Sequence, residues 1–136
     1  MNSPKHLSAA VLSGIILVFL ATFVAASVHL YSSLPHFDKI FHIVGGAIVA
    51  WAAYACFKGD LEHMSPLGAI LFLAGMACAV GILWECAERL SSIYAVHDFH
   101  TIYHFFHGGD LDDTLGDLLA DTAGGLLGGL VTLFKR

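Results

Sequence analysis

Apolar residues in this chain come in long runs rather than in the short periodic clusters of a water-soluble fold. Four runs stand out, at about 8–31, 39–57, 66–88 and 112–134. Each is near or above the roughly 20 residues a helix needs to cross a bilayer core. The pattern predicts an all-α polytopic membrane protein, a bundle of four transmembrane helices forming one membrane domain over residues 1–136. In the last loop, "HDFHTIYHFFHGGD" reads as a short interfacial helix at about 98–107. On a helix its imidazoles (His97, His100, His104, His107) gather on one side and Phe99, Ile102, Tyr103 and Phe106 on the other, suited to a membrane surface.

The first run carries Lys5 ahead of it and a cleavage-like "VAAS" at its end. Its apolar stretch, Ala9 to Val28, exceeds the ~7–15 residues of a signal-peptide core, so an uncleaved helix is expected. Composition sharpens the membrane reading: 57% of residues are hydrophobic and 12% charged, about half the charged share of soluble domains. The six Lys and Arg form no basic stripe, which excludes a nucleic-acid surface. Cys56, Cys78 and Cys86 lie within apolar runs without a CxxC pair and read as small buried residues.

Four spans with both termini in the cytoplasm place Lys5, Lys58, Lys135 and Arg136 inside and Lys39 and Arg89 outside. That agrees with the positive-inside rule. The expected location is a cell membrane, specifically a bacterial inner membrane. Whichever way the chain is oriented, "DKIFH" starts the second span, "ECAER" ends the third and "GDLDDTLGD" starts the fourth. All three motifs therefore meet at one membrane face, which the orientation makes the outer one.

Asp38 and His42 are four residues apart and share a helix face, with Asp38 suited to cap the helix start. Glu85 and Arg89 have the favourable spacing for an ion pair, while Glu85 and Glu88 put two acids near a helix C-terminus, against the helix dipole. In the last span Asp113, Asp117 and Asp121 recur every four residues, beside a small-residue row of Gly116, Ala120, Gly124 and Gly128. Small rows let helices approach closely, and intramembrane acids face bundle interiors. Solvation accounts for Asp110 and Asp112 but not for Asp121, about two turns inside.

These motifs resemble those of the VanZ-like membrane proteins and the related YjdF-type inner-membrane proteins. The shared features are "DKIFH" opening a span, an acid closing the next, and an acidic, glycine-rich last span. The YjdF-type likeness is closest at Gly109, Asp110, Asp113 and Asp117; the VanZ-like pattern lies over Asp117, Asp121 and Gly124. The chain departs from the VanZ-like pattern with Asp121 in place of Asn and Glu88 in place of Gln. The resemblance implies a small membrane protein with a polar, outward-facing site.

Three functions fit these residues. In the first, His42, Glu85, Asp113 and Asp117 do acid–base work or hold a divalent cation, in an enzyme acting on lipid headgroups or envelope precursors. The wider metal-ligand set is His42, Glu85, Glu88, Asp113, Asp117 and Asp121, with zinc, magnesium and manganese not distinguishable; Asp38, Lys39, Arg89, the four loop histidines and Asp110 are secondary candidates. In the second, the acids form an ion- or proton-binding or transport module. In the third, the charges only lock the helices together. The expected partners are membrane lipids, with a second copy or another membrane protein on the glycine-rich last helix, and no nucleic acid.

Overall fold

The computed structural model describes residues 4–28, 36–94 and 110–134. Among them there are four helices, α1 (Pro4–Ser27), α2 (Asp38–Leu61), α3 (Pro66–Tyr94) and α4 (Leu111–Leu133), and no strand. The expected interfacial helix, with His97, His100, His104 and His107, lies outside the described residues. Two helices, Asp38–Leu61 and Pro66–Leu90, are long and apolar enough to cross a membrane.

Local chemistry explains the helix starts. Ser65 accepts the Gly68 amide at 3.1 Å, and Pro66 follows at the first helical position, where its missing N–H costs nothing. Asp110 caps α4 by accepting the Asp113 amide at 3.1 Å. Asp38 is not the cap of α2, as its type suggested, but the first helical residue; its Oδ1 accepts the Lys39 amide at 3.0 Å. Near its end α2 kinks at Phe57 (φ −112°, ψ 17°), whose ring meets Phe72 edge-on at 5.4 Å.

α4 sits in the groove between α2 and α3, and α1 packs mainly against α2. Glycines set how closely α4 enters that groove. A Cβ at Gly124 would overlap the backbone carbonyl of Ile43 on α2, and one at Gly46 of α2 would overlap the backbone carbonyl of Asp121. Turned toward α3, Gly125 packs on Ala74 and Ala77. Away from the acidic end the interior is dry and small, built from Ala50, Ala53, Leu61, Ala69 and Leu73 with Tyr54, Phe72 and Met76 against them.

Burial is inverted relative to a soluble domain. Glu85, Asp117 and Asp121 are buried, while Leu12, Leu17, Leu71, Leu83, Leu119 and Val131 are each more than half exposed. Water-soluble proteins do not display apolar side chains on every helix and hide carboxylates between them. Cys56 and Cys86 follow the same logic and overturn the expectation that all three cysteines are buried: both are exposed and Cys78 is half-buried. They lie on the outward faces of α2 and α3, where an apolar thiol meets apolar surroundings.

Candidate functional site

The start of α2, the last third of α3 and the start of α4 bring their polar residues together. Lys39 reaches from α2 to α4, where its Nζ lies 2.5 Å from Asp113 Oδ1 and 2.8 Å from Asp117 Oδ1. The same ammonium donates to the Asp113 carbonyl at 3.2 Å and to Asp38 Oδ2 at 3.4 Å. Its stem runs over Gly116, where an added Cβ would lie 3.1 Å from Lys39 Cε.

One turn deeper, the His42 ring bridges two aspartates of α4. Nδ1 is 3.2 Å from Asp121 Oδ2, and Nε2 is 3.4 Å from Asp117 Oδ1. Asp121 is the deepest acid of the row, about 12 Å along the helix axis from Asp113. It fits there because residue 81 of α3 is glycine: a Cβ at Gly81 would overlap the Asp121 carboxylate. Gly81→Ala is therefore expected to push Asp121 off His42 while leaving the helices in place, since a side-chain end and not a backbone must move. A changed His42 signal in ¹⁵N-histidine NMR, with melting close to wild type, is the expected result; an unchanged signal would refute it.

Glu85 completes the group from α3. It is 8% exposed, and its Oε1, like Oδ1 of Asp117, is a buried oxygen without a hydrogen-bond partner. Oδ1 of Asp117 is nonetheless answered by charge, with Lys39 Nζ at 2.8 Å and His42 Nε2 at 3.4 Å. One donor atom each from His42, Glu85 and Asp117 lie within 4.8 Å of one another, as do one each from Asp38, Asp113 and Asp117. Glu88 and Asp121 fall outside both groups. Glu88 Oε1 instead accepts the Trp84 indole N–H at 2.9 Å, and Asp121 holds the far side of His42. Arg89 is exposed at the same end of α3, as are Asp110 and Asp112 at the start of α4.

A family model described as "Predicted membrane protein (DUF2238)" matches residues 6–136. The chain belongs to this family. Comparison with curated proteins and with solved structures gives no match. For this DUF2238 member the family description, the two span-length helices and the inverted burial agree on a membrane protein with a buried acidic and histidine cluster.

Sequence reasoning placed Lys39 only among the secondary candidates for this cluster and missed two of its glycines. Lys39 is its hub, although its partners Asp113 and Asp117 are more than seventy residues away and no local spacing marks them. Gly46 and Gly81, which make room for Asp121, carry only a weak signal, glycine inside an apolar helix, and their neighbours Gly45 and Gly75 share it without any close contact.

Proposed function

We propose that this protein is a four-span integral membrane protein that binds a divalent cation through His42, Glu85 and Asp117, near the headgroup level of one membrane face. The reading rests on one observation: a buried carboxylate oxygen without a hydrogen-bond partner, Glu85 Oε1, lies in one group with an Asp117 oxygen and a His42 nitrogen. Orphaned buried oxygens are costly, and Thr114, which reaches the Glu85 carboxylate, leaves Oε1 without a partner. Six carboxyl groups (Asp38, Glu85, Glu88, Asp113, Asp117, Asp121) share this end of the bundle with Lys39, His42 and Arg89, so negative charge exceeds positive even with His42 protonated. Such a site favours a cation over a bare phosphate.

The donor chemistry suits a transition metal. Nitrogen plus two carboxylates fits zinc or manganese better than calcium or magnesium, which prefer all-oxygen sites. With Nδ1 held by Asp121, the Nε2 lone pair is the one presented to a metal, the usual arrangement in which a carboxylate orients a ligating histidine. Donors around zinc at about 2.1 Å are separated by no more than about 4.2 Å, so a small inward movement closes the site.

The cation would in turn attract phosphate-bearing lipid headgroups or envelope precursors, for binding or for chemistry on them. Both termini in the cytoplasm and the site toward the outer face of a bacterial inner membrane belong to this reading, as does the finer likeness to VanZ-like and YjdF-type proteins. Elemental analysis of purified protein is expected to find zinc or manganese near one per chain, lost in His42→Ala and Glu85→Gln. Metal-free wild type after loading, or full occupancy in both variants, would sink the reading.

A further inference from the structure

We propose that Lys39 is a built-in cation filling the second position of a shared-carboxylate pair, so that the protein holds one metal ion beside one ammonium. The inference builds on the metal reading above for the first position only. Asp117 belongs to both donor groups, to His42 and Glu85 on one side and to Asp38 and Asp113 on the other. Two cation positions bridged by one carboxylate are the plan of two-metal centres, whose ions lie about 3.5–4 Å apart. Here the second position already contains a positive charge, the Lys39 ammonium, within 3.4 Å of all three carboxylates of its group.

An ammonium in that place behaves differently from a second metal. It donates to Asp38, Asp113 and the Asp113 carbonyl and pairs by charge with Asp117, and it has no open coordination position. It neutralises charge but neither polarises a phosphoryl oxygen nor activates water. Because it is tethered, it competes for the cage at an effective concentration that a free ion must exceed. Gly116 supports the assignment from the opposite helix, since it leaves the space through which the lysine stem passes. The consequence is a one-cation site: whatever chemistry occurs has one Lewis acid, and in-line displacement clamped between two metals is excluded.

The experiment counts manganese per chain, by elemental analysis and electron paramagnetic resonance, on purified full-length protein in nanodiscs. Wild type is expected to bind one ion. Lys39→Met, which keeps most of the stem and removes the charge, is expected to bind two and to show an exchange-coupled pair. The double variant K39M/D113N is expected to return to one. A single ion in both wild type and K39M would overturn the inference while leaving the metal reading intact. No ion in wild type but one in K39M would overturn the metal reading and support the role of Lys39. No ion in either would overturn both. A second measurement needs no variant: Lys39 in wild type should stay protected from acetic anhydride after manganese loading. Acetylation of Lys39 on loading would show that metal displaces it, and would overturn the inference.

Discussion

Gly46→Ala is expected to lose most of the protein's thermal stability in detergent, while Gly45→Ala melts at or slightly above wild type. The two residues are neighbours on α2 with opposite surroundings. At position 45 an added Cβ has nothing within 4 Å, so alanine contributes only its better helix propensity, up to about 1 kcal/mol. At position 46 the Cβ would enter the backbone of Asp121. Overpacking a rigid interior typically costs about 1–3 kcal/mol, and here the obstacle is a helix backbone with no rotamer to change, so the cost lies at or above the top of that range. Gly124→Ala meets the Ile43 carbonyl and belongs in the same class. Circular-dichroism melting of the set is the check, and equal melting of G45A and G46A would contradict the packing of α4 on α2.

The second large effect is expected at Asp117. Asp117→Asn keeps the shape and removes the charge shared by both donor groups, and manganese or zinc affinity should fall by more than 100-fold, about 2.7 kcal/mol. Metal-free D117N is expected to melt close to wild type, because Lys39 retains Asp113 and Asp38. Asp121→Asn acts through His42 and is expected to weaken binding by about 10–100-fold, as losses behind a ligating histidine do. Titration calorimetry and melting of both variants check this. The pattern of a structural network would be the reverse, with lower melting and no change in metal affinity.

The hydropathy runs locate the helices closely. The second and fourth expected spans, at about 39–57 and 112–134, lie over Asp38–Leu61 and Leu111–Leu133, and the third helix runs six residues past its expected end. Spacing alone also turns Asp117 and Asp121 inward, because an acid flanked by small residues has an energetic reason to avoid lipid. Rotation about each helix axis is what the sequence does not carry. Gly45 and Gly46 differ by about 100° around α2, and only the position of α4 makes one critical and the other free. For the same reason spacing does not show that Asp121 meets His42 Nδ1, or that Lys39, which charge counting treats as an exception to the positive-inside rule, is the centre of the cluster.

Below Asp121 the column of charged groups stops. Gly125 rests on Ala74 and Ala77, Gly128 on Ala47 and Ala50, and the next interior positions are Ala53, Ala69 and Leu73. In electrical terms the proposed cation site is a well rather than a channel. An ion entering it would cross only a fraction of the membrane field and leave by the way it came. On that reading occupancy would follow the ion concentration of one compartment, with little dependence on voltage, and no net current would flow unless the lower helix contacts parted.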